Sequence, residues 1–298
     1  MNKTRIILPV IGLLFSLFFL SCSKTGGSGN NTGGSGGSGG GGASGSGILL
    51  KNLITVAIDP ATGAETDSVD ATYTYDNQNR STAILRVQYD QTTKKLSVKD
   101  SSTYAYAQRS IVLTDQQWTS GGAQSLTVTT YYLNAAGTLA DSSTIVITSS
   151  AAPTKKTSQS YSYDGNGYLI QQNNYDLTSG QPVLSSRTLS TISGGNTIMT
   201  VDTLVNASFI PGQSVQFYDT LRYTMSTQSV ASIKATISDY IGSNGILGHP
   251  DVNLIQNFSQ LGIVISLNYT FDSQNRLSMV TDNLGGTTKY ATSYYTYY

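Results

Sequence analysis

The chain is poor in the residue types that usually carry chemistry: among 298 residues it has one cysteine, one histidine, one tryptophan and one glutamate. Each scarcity closes off a class of function. With Cys22 alone, no disulfide can staple the fold, which must hold by packing and hydrogen bonds. With His249 alone, a Ser-His-Asp triad would have to use that residue, and a zinc site would lack partners other than Asp. Glu65 is the one glutamate among 17 acidic residues, the rest being Asp. Helices favour Glu and turns favour Asp, so this balance speaks against a helical protein. Charge is sparse, 11% of residues, and even, 17 basic against 17 acidic. Setting aside Lys3 and Arg5 leaves 15 basic residues, so there is no electrostatic case for nucleic acid. Only one long apolar run occurs, and it lies at the very start.

That run is a leader. Lys3 and Arg5 precede Ile6 to Leu20, which is apolar apart from Pro9, Gly12 and Ser16. It is too short for a comfortable membrane span and reads as a secretory signal. Phe19-Leu20-Ser21-Cys22 resembles a lipobox, with Phe19 where Leu is commoner. The resemblance implies cleavage before Cys22 and acylation of it, hence a membrane held through a lipid anchor. The blander reading is an ordinary signal peptide with an incidental cysteine. From Thr25 to Gly47 the chain is almost wholly Gly, Ser, Asn and Thr, a composition that cannot bury a core. As a disordered tether it reaches roughly 25 Å root-mean-square. The expected parts are a signal peptide over 1–21, a lipidated cysteine and linker over 22–47, and a single domain over 48–298.

The domain is written around one unit, Tyr269-Thr270-Phe271-Asp272-Ser273-Gln274-Asn275-Arg276-Leu277. Variant copies begin at Tyr73, Tyr131 and Tyr161. Aromatics alternating with Thr or Ser have strand periodicity. Asp76, Asp164 and Asp272 then open a turn, each carboxylate placed to accept a backbone N–H two residues on. Asn79, Gly137, Gly167 and Asn275 follow where a short hairpin loop needs left-handed backbone. The unit resembles the YD repeat of RHS-like proteins, Tyr-Asp-x-x-Gly-Arg-Leu, departing from it with Asn at two Gly positions and Tyr168 in place of Arg. Its copies lie 58, 30 and 108 residues apart, unlike the steadier period of an RHS shell.

Twenty Tyr and abundant Thr, Ser and Val favour strands throughout. The spacing predicts sixteen antiparallel strands between Leu53 and Tyr297, the thirteenth over Ile233–Tyr240. Leu96 and Val98 are expected on one face, opposite Lys95, Ser97 and Lys99. Long sequential strands leave two edges exposed unless they close. The expected fold is therefore all-β, an up-and-down meander curled or closed into a barrel-like sheet. A membrane-spanning barrel is disfavoured by Ser and Thr on both strand faces. Ile241 to Ile255 breaks the strand pattern and reads as a loop, with a short helix after Pro250. Gly248, Asn253 and Leu254 resemble a Gly-x-x-x-x-Asn-Leu segment of uncharacterised Bacteroidetes-type outer-membrane lipoproteins with a porin-like β domain. The order of lipobox, linker, Tyr-rich strands, this loop and a final Tyr-x-Phe-Asp hairpin matches them too. That resemblance implies an outer-membrane lipoprotein, on the periplasmic or the cell-surface face, and carries no catalytic residues.

Candidate sites follow from what is left. Tyr73/Tyr75, Tyr104/Tyr106 and Tyr161/Tyr163 are pairs on one strand face. A wet stripe of them would stack sugars or grip peptides; a dry stripe is cross-strand packing, the commoner outcome. Trp118, expected near a hairpin tip, is a candidate contact. His249 and Asn253 mark a candidate loop site, His249 more simply bonding backbone. Calcium at the turn aspartates lacks an Asp-x-Asp-x-Asp run and a late Glu, so no metal or cofactor is expected. These observations favour a non-catalytic cell-envelope protein that binds or displays something. The alternatives are a glycan-binding accessory lipoprotein and a hydrolase built on an Asp pair facing across a cleft.

Overall fold

The computed structural model, which describes residues 49–90, 93–210, 213–230, 246–249 and 251–298, is built almost wholly of strand. The first strands are β1 Leu50–Ile58, β2 Glu65–Tyr75, β3 Ser81–Asp90, β4 Lys95–Ala107, β5 Ser110–Thr119 and β6 Gln124–Leu133. Next come β7 Ala140–Ser149, β8 Ala152–Tyr163, β9 Leu169–Asp176, β10 Val183–Ser193 and β11 Asn196–Ile210. The last are β12 Gln213–Ser229, β13 Asn253–Gln260, β14 Ile263–Phe271, β15 Leu277–Leu284 and β16 Thr288–Tyr297. Each pairs antiparallel with the next, and β1 closes on β16 through Leu53–Tyr295, Thr55–Ser293 and Ala57–Ala291. Closure leaves no strand edge unpaired, the liability that a long open meander would carry.

The turns are the ones their residues dictate. Asp76 Oδ1 accepts the backbone N–H of Gln78 at 2.8 Å and of Arg80 at 2.9 Å. Asp164 Oδ1 takes those of Asn166 and Tyr168, and Asp272 Oδ1 those of Gln274 and Arg276, all at 2.9 Å. Asn79, Gly137, Gly167 and Asn275 all have left-handed φ, between 59° and 83°. Arg80 and Arg276 fold back on Asp76 and Asp272 at 2.7 and 2.6 Å.

The prediction erred after Pro250. No helix follows Pro250: Asn253–Gln260 is strand β13, because β12 and β14 lie on either side to satisfy its backbone. The segment proposed as strand Ile233–Tyr240 lies outside the described residues.

Partners across a ladder share a face, so register fixes which side chains enter the barrel. The turns after even-numbered strands gather at one end. There Leu50, Tyr73 and Ile84 form one buried cluster, Ile111, Leu133, Tyr161 and Leu169 a second, and Leu254, Leu277 and Val280 a third. Tyr104 packs against the first two and Tyr295 joins the first to the third, making one aromatic layer. The described residues just ahead of β13 bond to this end. Ile246 O accepts the backbone N–H of Ala140 at 2.7 Å, His249 N–H donates to Gly167 O at 2.9 Å, and Val252 N–H to Gly195 O at 3.1 Å.

The outer wall is mixed and wet. Lys99, Lys156, Arg187 and Arg222 are exposed within strands rather than at turns. Arg187 Nε donates to Asn173 Oδ1 at 2.9 Å, and Asn173 Nδ2 to Ser160 Oγ at 3.2 Å, forming a polar ladder across three strands. Apolar side chains such as Leu85, Leu126, Leu189 and Val264 are exposed among these, so charged and apolar groups share the outer face of the described residues.

Candidate functional site

The tyrosine pairs prove to be architecture. Tyr73 is 1% exposed and Tyr161 is 8% exposed. The second tyrosine of each pair ends an even-numbered strand and reaches back to a carbonyl at the start of the strand before it. Tyr75 donates to Leu50 O at 2.9 Å, Tyr106 to Ser81 O at 2.7 Å and Tyr163 to Ala140 O at 2.8 Å. Tyr297 repeats the latch on Leu277 O at 2.7 Å, and Tyr269 a variant of it on Ile255 O at 2.6 Å. Each latch couples ring burial to a hydrogen bond worth about 1 kcal/mol net. Burial pushes the Tyr161 and Tyr163 hydroxyls well above their ordinary range, so they stay donors. The pairs face inward, so they form no stripe on the outer surface.

The other candidates scatter. Trp118 lies on the outer face of β5, one residue before its end rather than at the tip, with Lys99 Nζ 5.7 Å from its ring centroid. His249 bonds backbone, and its ring lies 5.7 Å from that of Tyr168. Asn253 is clamped to Asn196: its N–H donates to Asn196 Oδ1 at 2.8 Å, and Asn196 Nδ2 returns a bond to Asn253 Oδ1 at 3.1 Å. Cys22 lies outside the described residues. The turn aspartates spend their oxygens on backbone N–H groups, which accounts for them without an ion.

What the register brings together is a cavity of about 450 Å³ against β2 to β6, in the half of the barrel away from the aromatic layer. Arg86, on β3, donates from Nη1 to Asp100 Oδ1 at 2.7 Å and to Ser102 Oγ at 2.9 Å, both on β4. Asp115, on β5, is bonded by Ser102 and lines the same wall. Burial alone would pull the Arg86 guanidinium down, but Asp100, Tyr73 and Tyr104 together outweigh it and the group is held above its ordinary value. The Asp115 carboxyl is pushed up, first by burial and then by Asp100, against the hydrogen bond from Ser102 and the charge of Arg86. Gln88 and Gln117 add amides, Ser125 and Thr127 hydroxyls, and Val69, Val98 and Leu113 an apolar strip. Tyr104 is the one predicted contact that lines this cavity.

Across the barrel the polar side chains of the wall bond one another. Tyr161 Oη donates to Gln159 Oε1 at 2.6 Å, Gln159 Nε2 to Asn174 Oδ1 at 2.7 Å, and Asn174 Nδ2 to Ser186 Oγ at 2.8 Å. Thr188 bonds Asp202 at 2.5 Å, and Gln260 bonds Asp219. The Arg86 cluster escaped sequence reasoning because its members come from three strands. A signal was present: Asp100 continues the alternation set by Val98, and Arg86 that set by Ile84. A bulge between the Gln88–Val98 and Tyr89–Leu96 pairs carries Leu96 off this face, so Leu96 and Val98 do not share one as predicted.

No family model matches the chain, and no curated protein matches it. Among solved structures, a porin-like protein from Bacteroides uniformis is similar at a TM-score of 0.54 and 18% identity, over 84% of this chain and 98% of that one. A porin-like protein from Bacteroides vulgatus has 9% identity and a TM-score of 0.31, over 84% and 99%. The first likeness shows the barrel fold; neither carries a site residue.

Proposed function

We propose that this chain is a lipid-anchored protein of the cell envelope, held at the outer membrane through Cys22, whose barrel is a non-catalytic binding scaffold. The observation that carries this reading is a closed barrel whose outer wall carries charged side chains within its strands, Lys99, Lys156, Arg187 and Arg222, among its apolar ones. Such a wall has no stable place in hydrocarbon, so attachment must come from elsewhere in the chain. Cys22, behind an apolar leader, is the residue chemically equipped to supply it. β1 starts at Leu50 beside Tyr297, at the aromatic end. An anchor upstream would bring that end nearest the membrane and leave the cavity in the far half. A binding role is favoured over hydrolysis because Asp100 is neutralised by Arg86 and Asp115 is held by Ser102, so neither stands as a free base opposite an acid.

The test is Cys22→Ser in cells fed a labelled fatty acid. The parent should take up label and sediment with outer membranes, and the variant should do neither. An unlabelled parent, or a variant that stays in the membrane, would sink the proposal.

A further inference from the structure

The Arg86 cavity is too particular to be mere filling. We infer that it binds a short neutral saccharide, of about two sugar rings, through Arg86, Asp115, Gln88 and Gln117 at its hydroxyls and the Val69, Val98 and Leu113 strip at its C–H face. The inference rests on the binding-scaffold reading and names its ligand class.

Three observations select that class. The first is charge. Arg86 is the one cation in the lining, and its Nη1 is already committed to Asp100 and Ser102. Asp115 adds an acid that no second cation balances, so a phosphate or carboxylate ligand would enter a site of the wrong sign. The second is the mixture of donors and acceptors. Two carboxylates accept, a guanidinium donates, and two amides and four hydroxyls (Ser102, Tyr104, Ser125, Thr127) do both. A polyol needs that mixture, since each of its hydroxyls donates and accepts. An ammonium ligand would use acceptors alone and leave the amide donors of Gln88 and Gln117 unanswered. The third is the apolar strip together with Tyr104, which suits the C–H face that a sugar ring presents between its hydroxyls. A cavity of about 450 Å³ has room for such a ligand and for few larger ones. The contrast with the opposite wall supports the choice: there the polar side chains bond one another in a chain, whereas Gln88 and Gln117 stand beside open volume.

The experiment is a nuclear magnetic resonance titration of the full-length protein in detergent with neutral disaccharides of several linkages, reading side-chain amide signals of glutamine and the Nε–H of Arg86. The expected result is saturable shifts at Gln88, Gln117 and Arg86 with one dissociation constant. Asp115→Asn, close in shape, should weaken that constant about tenfold or more while leaving the melting temperature near the parent's. Ser125→Trp, which fills the space, should abolish the shifts. Absence of any shift with every neutral sugar overturns the inference, as does binding that survives both variants. Shifts from a diamine or a sugar phosphate alone would overturn the ligand class while keeping the barrel as a binding scaffold. Failure of Cys22 labelling would overturn the envelope reading without touching this site.

Discussion

Asp282 is a carboxyl in the wrong surroundings, and its replacement should reveal itself through pH. It sits on β15 between Leu267 of β14 and Ala291 of β16, 5% exposed, and its Oδ1 has no hydrogen-bond partner among the described residues. Burial, with no compensating cation, pushes its pKa from 3.8 up to about 7. The folded state therefore holds the proton more tightly than the unfolded chain. The penalty is absent below the unfolded value, grows as pH rises through the interval, and is complete above about pH 7. At 1.36 kcal/mol per unit it reaches about 1 kcal/mol at pH 4.5 and about 4 kcal/mol at pH 8.5. Asp282→Asn keeps the shape and removes the ionisation. The variant should gain about 3 kcal/mol more, relative to the parent, at pH 8.5 than at pH 4.5. Equilibrium urea unfolding of both proteins at the two pH values measures that double difference, in which every other titrating group cancels. An advantage equal at both pH values, within about 0.5 kcal/mol, would refute the argument that a desolvated, unpartnered carboxylate is the cause.

Two further predictions probe the aromatic end. Tyr163→Phe keeps the ring but removes the hydroxyl that bonds Ala140 O at 2.8 Å and Ile246 O at 3.2 Å; it should cost about 1–3 kcal/mol in urea unfolding, since two buried carbonyls lose a donor. A cost below about 0.3 kcal/mol would show that the latch is incidental. Gly248→Ala should destabilise by about 1–3 kcal/mol and loosen hydrogen-exchange protection at Ala140. Its φ is 106°, and an added Cβ would lie 2.9 Å from Leu169 N and 3.0 Å from Gly167 O. Unchanged protection at Ala140 would mean that the connection is not held there by this fit.

Much of the architecture was local and therefore readable in one dimension. Strand periodicity comes from aromatic and hydroxyl residues in alternation, and the hairpins from an aspartate that bonds its own backbone, followed by a residue that tolerates left-handed φ. Asp76 to Arg80 needs nothing outside itself to turn. Closure was foreseeable in kind, because sixteen sequential strands without closure would leave two unpaired edges. Strand β13 was not legible: Asn253–Gln260 lacks the Tyr-Thr alternation of its neighbours and becomes strand because two ladders claim its backbone. The sense of each face was not legible either. Tyr73 and Tyr75 would look the same on an outer wall as in the lumen, and only the ladder register turns them inward. The cavity is the extreme case, for residues 86, 100 and 115 meet through three antiparallel registers whose offsets a bulge at Leu96 partly sets. The sequence by itself thus determined most of the strands and their turns, because those depend on neighbours in the chain. The tertiary structure alone decided what is buried and which charges share a cavity, because both depend on how sixteen strands close around a common interior.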